Sequence, residues 1–279
     1  MAIVSIITPV LNREKLISYT IESIQKQSFS DWQLLIIDDG SIDKTIEVVN
    51  NFAIKDKRIK LFLRDKNIQG APICRNIGIE KALSEYVIFL DSDDLLKPFA
   101  LEQRIKIFKE YKDYDFLVFQ TIRMDYHIQQ SLGFWYNFKE NEDYTKLFLS
   151  LNSPWQTAGV IWKLESIRKY NLFFDTNLRI WQDVDYHLQA LLKGMKFKIF
   201  KDLPADVLYR INNKSLSQKA YDKNQRKSQI YFIKKYKKIY SVKYPKIAIT
   251  LINRLIKKNL QQKFYDNLLK LLWLKYIRL

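Results

Sequence analysis

The sequence predicts an α/β fold with a doubly wound parallel sheet, followed by a basic helical extension. Short apolar runs alternate with stretches of helical periodicity, and no tight hairpin signal joins two of the runs. The run at 86–90 is apolar or aromatic throughout, which is typical of a strand buried on both faces. The charge is uneven, because residues 218–279 carry 17 Lys or Arg against two Asp, a net charge of +15, whereas residues 1–217 carry +2.

The composition indicates a globular protein with a full hydrophobic core. Hydrophobic residues make up 47% and aromatic residues 14% of the 279 residues. The single cysteine, Cys74, excludes an intrachain disulfide and fits a reducing compartment, and two histidines are too few for a His-rich zinc or iron site. The N-terminal apolar run lacks a basic region and is too short for a signal peptide, and no apolar run is long enough to span a bilayer.

Four strands and three helices are predicted to alternate in residues 1–98. Each strand is a run of apolar residues, and each helix has apolar residues spaced three or four apart. We expect Pro9 to end the first strand, and Asn12 and Ser41 to cap the first and second helices. The predicted strands are 3–8, 33–37, 58–63 and 86–90, and the third helix is 72–83.

The rest of the chain continues with strands and ends in helices. The aromatic segment 122–155 is loosely patterned, so a pocket wall and ordinary core packing remain alternatives there. The basic extension is expected to form helices at 219–240, 247–258 and 260–277, with a break near Pro245. The other predicted elements are a helix that begins near Pro98, strands at 116–121 and 159–162, a helix at 182–193 and strands at 197–200 and 207–211.

Polar side chains follow three of the predicted strands. Thr-Pro-Val-Leu-Asn at 8–12 follows the first, Asp38 and Asp39 follow the second, and Asp-Ser-Asp-Asp at 91–94 follows the fourth. Ligands of open α/β sheets bind at the carboxyl ends of parallel strands. Carboxylates this close repel one another unless a cation binds, and oxygen ligands suit Mg²⁺ or Mn²⁺. A helix cap is the alternative for the acids at 91–94, and a turn is the alternative for Asp38 and Asp39.

Four motifs, in this order and spacing, resemble those of the glycosyltransferase family 2 enzymes of GT-A fold. The motifs are Val-Ser-Ile-Ile-Thr-Pro-Val-Leu-Asn at 4–12, Leu-Ile-Ile-Asp-Asp-Gly-Ser at 35–41, Asn-Ile-Gln-Gly-Ala-Pro-Ile-Cys-Arg-Asn-Ile-Gly at 67–78 and Phe-Leu-Asp-Ser-Asp-Asp at 89–94. The resemblance implies a GT-A catalytic domain at 1–217 with a mixed, mainly parallel sheet flanked by helices. Its nucleotide-binding half would be 1–98 and its acceptor-binding half 99–217, and the extension at 218–279 would follow.

The resemblance also implies roles for residues around a nucleoside-diphosphate sugar, with UDP as the expected nucleotide. Asp39 would bind the base edge, and Arg75 would stabilise the negative charge of the nucleotide. Asp93 and Asp91 would bind the divalent cation, Mn²⁺ or Mg²⁺, that bridges the two phosphates. The residues expected at the nucleotide are Thr8, Pro9, Asn12, Asp38, Asp39, Arg75, Asp91 and Ser92.

On the acceptor side, Gln182-Asp183 stands where the family usually has an acidic pair ahead of a helix. Asp183 then matches the general base that deprotonates the acceptor hydroxyl, and Asp185 is expected to be a surface or capping acid. No Gln-x-x-Arg-Trp motif of processive members is present, which indicates transfer of one sugar per encounter. The resemblance implies that the transfer inverts the configuration of the anomeric carbon. A packed or solvent-facing side chain remains the alternative for His187. The further positions expected to contact the diphosphate or the acceptor are Gln182, His187, Arg210 and Asn212.

The basic extension allows two interpretations. Amphipathic helices with Lys, Arg and marginal aromatic residues are typical of attachment to an anionic membrane surface. The chain would then be cytoplasmic and peripheral at the inner face of the cell membrane. It would act on a glycan or lipid-linked acceptor in polysaccharide or lipopolysaccharide synthesis. Removal of residues from 219 onward would release the chain from the membrane. A helical layer packed on the catalytic domain is the alternative. No nucleic-acid-binding module accompanies the charge, so nucleic acid is not an expected partner.

Two rival functions are weaker. A signalling receiver domain also has an early strand that ends in paired acids, but it needs a phospho-acceptor Asp at the third strand end, where this chain has Leu-Arg-Asp at 63–65. A catalytically inactive relative that serves as a nucleotide-sugar-binding subunit is the second rival. The presence of Asp91, Asp93 and Asp183 argues against it.

Overall fold

The structure is a computed structural model, and it describes residues 2–64, 69–125, 130–211, 223–261 and 265–276. The strands within these ranges are β1 (Val4–Val10), β2 (Trp32–Asp38), β3 (Ile59–Leu63), β4 (Tyr86–Phe89), β5 (Leu95–Leu96), β6 (Phe116–Phe119), β7 (Thr121–Asp125), β8 (Ser131–Phe134), β9 (Val160–Lys163), β10 (Phe197–Phe200) and β11 (Val207–Ile211). The helices are α1 (Ile17–Gln25), α2 (Thr45–Lys55), α3 (Ala71–Lys81), α4 (Ala100–Glu110), α5 (Tyr144–Leu149), α6 (Leu164–Lys169), α7 (Gln182–Leu192), α8 (Lys223–Lys235), α9 (Lys237–Lys243), α10 (Pro245–Gln261) and α11 (Tyr265–Tyr276).

The larger sheet has the strand order β10-β6-β9-β4-β1-β2-β3 across the described residues. β1 pairs in parallel with β2 and β4, whereas β9 runs antiparallel between β4 and β6. The sheet is therefore mixed and mainly parallel, as the family resemblance implied. The parallel pairing predicted from the alternation of elements in residues 1–98 is confirmed for β1 to β4. The antiparallel direction of β9 could not be predicted, because an apolar run does not report the direction of its strand.

Both faces of the larger sheet are covered, which explains its apolar strands. Every residue of β1 and β2 is buried. Successive side chains of a strand point to opposite faces, and accordingly Ile6 belongs to the core on one face and Ile7 to the core on the other. Helix α3 lies close against β1, since a Cβ added to Gly78 would come within 2.3 Å of Ile7 Cγ2. Glycine at this position therefore allows the helix that carries Arg75 to approach the strand.

The end of β1 differs from the prediction. The strand continues through Pro9 to Val10 rather than ending at Pro9. Leu90 N donates to Ile7 O at 3.0 Å, so the backbone of Ile7 faces β4. The backbone nitrogen of Pro9, two residues further, points to the same side, but β4 has already ended there. The missing N–H of proline therefore costs no ladder hydrogen bond at this place.

Asn12 and Ser41 do not cap helices, because α1 begins at Ile17 and α2 at Thr45. The two residues join their loops instead. Asn12 N donates to Ser41 Oγ at 2.9 Å, and Ile42 N donates to Asn12 Oδ1 at 2.9 Å. The loops that follow β1 and β2 are thereby held side by side.

A smaller sheet, with the order β5-β11-β7-β8 across the described residues, lies beside the first. The strand predicted at 116–121 is two strands, β6 in the larger sheet and β7 in the smaller one. β5 pairs antiparallel with β11 directly after the acids at 91–94. The two residues of β5 and the four of β8 carry too little periodicity for a prediction from sequence.

The C-terminal helices pack on the rest of the chain. Phe232, Tyr240 and Leu251 belong to the same buried core as Trp162 and Tyr186. The structure thus has the packed helical layer that the sequence left as an alternative to the membrane-bound extension. The predicted boundary between 217 and 218 falls at 212–222, outside the described residues. None of the described helices is both long enough and apolar enough to cross a membrane.

Candidate active site

The predicted polar strand ends lie together at one edge of the larger sheet. Val10 at the end of β1 pairs with Asp38 at the end of β2, and Ile7 pairs with Phe89 at the end of β4. The acids at 91–94 follow β4 on the other side of β1 from Asp38. Thr8 is fully buried, and its Oγ1 has no hydrogen-bond partner among the described residues. A ligand at this edge could satisfy that hydroxyl.

Asp38 and Asp39 both accept hydrogen bonds from backbone amides of neighbouring loops. Asp38 Oδ2 accepts hydrogen bonds from Gly40 N and Ser41 N, each at 2.9 Å, which is the turn-forming role considered for it. Asp39 accepts from Gly70 N and pairs with Arg64 Nε at 2.6 Å. Asp39 thereby connects the end of β2 to the start of α3.

The acids at 91–94 have separate partners. Asp91 forms an ion pair with Arg75, and Asp93 lies 3.7 Å from the guanidinium of Arg13. Asp94 is buried and accepts a hydrogen bond from Arg210 N at 3.1 Å. Neither Ser92 nor Asp94 caps a helix, because α4 begins at Ala100 and has no side-chain cap. The helix-cap alternative for these acids was therefore wrong.

Arg210 and Thr20 hold the acidic loop in place. The Arg210 guanidinium donates to the carbonyl oxygen of Asp93, and Thr20 Oγ1 donates to Ser92 O at 3.0 Å. Arg210 thus contacts the loop that was expected to bind the diphosphate. Asn212, predicted beside it, lies outside the described residues.

The loop concentrates negative charge. Burial, and then the charge of Asp91, raise the pKa of Asp93, against the opposing charges of Arg13 and Arg210. Burial, and then the charges of Asp93 and Asp91, raise the pKa of Asp94 well above its usual range. Carboxylates in this state would be stabilised by a cation.

The donor atoms at this loop suit a hard divalent cation that has few protein ligands. Asp91 and Asp93 are partly exposed and offer only oxygen. Within the described ranges, no group of three or more His, Cys, Asp or Glu side chains is placed to hold an ion. The residues therefore fit an ion bound by one or two carboxylates together with phosphate oxygens of a ligand, rather than an all-protein cage.

Asp183 lies in the first turn of α7, close to the acidic loop. Burial raises its pKa, the charge of Arg75 lowers it and the charge of Asp91 raises it further. Arg75 donates to Gln182 Oε1 at 2.9 Å while it pairs with Asp91. One guanidinium therefore joins the acids after β4 to the residue beside Asp183.

Two predicted positions have other roles in the structure. His187 was a candidate acceptor contact, but it is buried between aromatic rings that include Phe148 and Trp162. Burial lowers its pKa to about 3, so it is a neutral core residue. Asp185 was expected at the surface or as a cap, but it is fully buried and bound by Tyr236 at 2.6 Å. The structure thus has the packed alternative for His187, whereas the expectation for Asp185 was wrong, because a single helix turn does not reveal what packs against it.

Cys74 is a packed thiol. It is fully buried, and burial, reinforced by the charge of Asp39, raises its pKa to about 12. A thiol in this state is a poor nucleophile.

Sequence reasoning missed two arginines at the site. Arg13 directly follows the motif at 4–12 and faces Asp93, and Arg64 follows β3 and pairs with Asp39. Both arginines closely follow the end of a strand, and this position could have identified them from the sequence. β1 and β3 lie on either side of β2 and run parallel to it, so all three strands end at the same edge of the sheet.

The profile of the family described as Glycosyl transferase family 2 matches residues 5–204. The chain belongs to this family. Apart from Val4, the matched range contains the four motifs, the strands from β1 to β10 and the turn that carries Asp183.

Curated relatives are similar over part of this family 2 chain. A Haemophilus influenzae protein described as an uncharacterized glycosyltransferase is 48% identical over 105 residues, which cover 38% of this chain and 42% of the relative. The Campylobacter jejuni GalNAc(5)-diNAcBac-PP-undecaprenol beta-1,3-glucosyltransferase is 43% identical over 97 residues, which cover 35% of this chain and 31% of the relative. The matches thus span less than half the length of these relatives.

Solved structures share the fold over nearly the whole chain. S. aureus TarS 1-349 in complex with UDP-GlcNAc superposes with a TM-score of 0.66 at 18% identity, covering 94% of this chain and 73% of TarS. A crystal structure of S. aureus TarS superposes with a TM-score of 0.61 at 17% identity, covering 96% of this chain and 54% of that one. The GT-A fold implied by the sequence resemblance is confirmed.

Proposed function

We propose that this family 2 chain transfers one sugar from a UDP-linked donor to a hydroxyl of a glycan or lipid-linked acceptor, with inversion at the anomeric carbon. The observation that carries the proposal is the position of Arg75, which pairs with Asp91 and donates to Gln182 beside Asp183. This contact brings the residues expected at the donor next to the expected base. The Campylobacter jejuni relative, which is named as a glucosyltransferase of an undecaprenol-linked glycan, supports this class of reaction.

In the proposed mechanism Asp183 accepts the proton of the acceptor hydroxyl. The acceptor oxygen then forms a bond to the anomeric carbon as the bond from that carbon to the diphosphate oxygen breaks. Negative charge grows on the departing diphosphate, and Arg75 would stabilise it; its ion pair with Asp91 supports this role. Asp91 and Asp93 would hold a divalent cation, Mn²⁺ or Mg²⁺, which would supply further electrostatic stabilisation of that charge.

The nucleotide would lie at the ends of β1 and β2. Thr8 and Pro9 would contact the base and ribose from β1, and the loop joined by Asn12 would cover them. Asp38 and Asp39 would approach the base edge, and Ser92 would lie beside the ribose. The buried Thr8 hydroxyl, which lacks a partner among the described residues, supports this placement.

We also propose a peripheral, cytoplasmic location at an anionic membrane surface, which the C-terminal extension would contact. The proposed product is a surface polysaccharide or lipopolysaccharide. Lys238, Lys243 and Lys257 are exposed. Because the apolar faces of the helices are buried in the core, the attraction would be electrostatic rather than an insertion of apolar side chains. Nucleic acid is not a proposed partner.

A thermal-shift panel tests the proposed donor class. UDP, GDP and a set of UDP-sugars and GDP-sugars are compared with and without Mn²⁺, since a ligand that binds only the folded state raises the unfolding temperature. We expect UDP and one UDP-sugar to give the largest Mn²⁺-dependent shifts, and that UDP-sugar to be hydrolysed slowly. No shift with any nucleotide would contradict the proposal, and a shift without hydrolysis would favour a nucleotide-sugar-binding subunit.

Replacing Asp93 with Asn should weaken Mn²⁺-dependent binding of UDP. Loss of even an outer partner of a metal ligand typically lowers metal affinity ~10–100-fold, so we expect at least about a 10-fold rise in the Kd of UDP measured by calorimetry with Mn²⁺. Asp31→Asn is the control, because Asp31 is exposed beside the opposite end of β2. Equal affinities of the two variants would remove Asp93 from the metal site.

The raised pKa of Asp183 predicts the pH dependence of the reaction. A general base acts only when deprotonated, and an ordinary aspartate loses its proton near pH 3.9. Because burial raises the pKa of Asp183, the acid limb of kcat for UDP-sugar hydrolysis should lie at higher pH, with the rate rising as the pH rises through that pKa. A profile that stays flat down to about pH 3.9 would contradict Asp183 as the base.

A further inference from the structure

Helix α8 runs along the segment that leads into α7. Arg179 N, three residues before α7, donates to Ser228 Oγ at 2.9 Å. Asp175 accepts hydrogen bonds from Tyr231 at 3.0 Å and from Lys235 at 2.7 Å. Three residues of one face of α8 thus bind the approach to the helix that carries Asp183.

Lys235, the last residue of α8, and Tyr236, which directly follows α8, also bind α7 itself. Asp185 is 0% exposed, and its carboxylate lies 2.8 Å from Lys235 Nζ and accepts from Tyr236 at 2.6 Å. Burial lowers the pKa of Lys235, but the charge of Asp185 and the bond to Asp175 outweigh this and raise it, so the lysine stays charged. A buried carboxylate requires such compensation. Asp185 therefore fixes the first turn of α7 through two partners in the C-terminal region.

Trp181 is the third connection. It directly precedes Gln182 and adopts a left-handed backbone conformation, with φ +61°. A bulky residue keeps this conformation only where its surroundings enforce it. The Trp181 ring packs edge-on against Phe232 of α8, at 5.6 Å between ring centroids, and Trp181 O accepts from Asp185 N at 2.9 Å. The unusual turn that aims Gln182 and Asp183 is thus held from α8.

We propose that the α8 clamp positions the catalytic base, with Asp185 and Trp181 as the positioning residues on the side of α7. The clamp consists of Ser228, Tyr231, Phe232 and Lys235 of α8, together with Tyr236 directly after this helix. This inference rests on the proposed function, because it takes Asp183 as the base. The clamp touches neither reactant. It sets the direction of the Asp183 side chain, and a misplacement of ~1 Å at a reacting group can lower a rate ~100-fold.

Tyr236→Phe tests the clamp with a single lost hydroxyl. Tyr240→Phe is the matched control, because Tyr240 is also buried, lies four residues further, in α9, and donates to Leu149 O at 2.7 Å instead of to α7. The full-length variants are compared by three measurements: the thermal unfolding temperature, the Kd of UDP with Mn²⁺, and kcat for hydrolysis of the UDP-sugar that the thermal-shift panel selects.

We expect both variants to lose a similar few degrees of thermal stability and to bind UDP within about 2-fold of the original chain. Only Tyr236→Phe should lower kcat, by about 10-fold or more. Deuterium uptake by mass spectrometry of the peptide that covers 175–186 should be faster in Tyr236→Phe and unchanged in Tyr240→Phe. Deuterium uptake by this peptide reports whether the clamp holds the start of α7, even when no sugar is transferred.

The outcomes separate the inference from the function on which it rests. Normal turnover in Asp183→Asn would overturn the base assignment, and the inference with it. Loss of turnover in Asp183→Asn together with equal kcat in the two tyrosine variants would overturn the clamp alone. The same holds if uptake at 175–186 rises in Tyr236→Phe while kcat stays unchanged, because a looser α7 would then leave the base in place.

Discussion

Replacing Asp183 with Asn is expected to abolish sugar transfer while leaving UDP binding intact. The amide has nearly the same size as the carboxylate but cannot accept the acceptor proton, and a positioned base typically contributes ~10²–10⁴-fold to the rate. Asp183 also lies outside the loop at 91–94 that is proposed to hold the diphosphate. We therefore expect kcat to fall by about that factor, and calorimetry to give an unchanged Kd for UDP with Mn²⁺.

Asp202→Asn provides the control, because Asp202 is exposed and the same substitution there removes one charge without touching the site. Two results would contradict the assignment. Turnover of Asp183→Asn within a few-fold of the original chain would show that another group takes the proton. A lost UDP affinity would show that Asp183 belongs to the donor site rather than to the acceptor side.

Deleting residues 223–279 should prevent folding rather than release a soluble catalytic domain. Phe232, Tyr240, Leu251 and Leu255 are buried in the same core as Trp162. Full burial of a side chain of this size contributes about 1.5–3 kcal/mol, so these four alone approach the ~5–15 kcal/mol that stabilises a typical domain. The expected result is an insoluble product, or one without a cooperative thermal transition. The structure thus opposes the expectation that removal of the extension from 219 onward would release the enzyme.

A charge variant separates folding from membrane attachment. Lys238, Lys243 and Lys257 are exposed, so changing all three to Gln removes positive charge without opening the core. Each such charge contributes ~1 kcal/mol to binding at an anionic surface. We expect the triple variant to keep its unfolding temperature and to sediment far less with anionic lipid vesicles. A soluble, cooperatively folding truncation would disprove the shared core.

The parts of the site that lie on strand ends could be predicted from sequence. β1, β2 and β4 are buried on both faces, so each leaves an unbroken apolar run, and the polar residues that follow mark the edge where ligands bind. Asp38, Asp91 and their neighbours were found in this way. That these ends share one edge follows from parallel pairing.

The contacts that join distant parts of the chain could not be predicted. Asp185 and Tyr236 are 51 residues apart, and neither carries a local pattern that names the other. His187 has the spacing of a residue one turn after Asp183, yet the aromatic rings that surround it come from α5, β9 and the segment before β9. A helix face that meets another helix and one that meets a substrate look alike in a single sequence.

The shared core has a consequence for synthesis of the chain. Ribosomes deliver residues from the N-terminus at ~5–20 per second, and domains generally fold in that order. Trp162 and Tyr186 emerge well before α8 and α10, which complete the core to which both residues belong. For several seconds the nascent chain therefore presents an uncovered aromatic surface, which is the kind of site that chaperones bind, and the enzyme matures only when its last helices have left the exit tunnel.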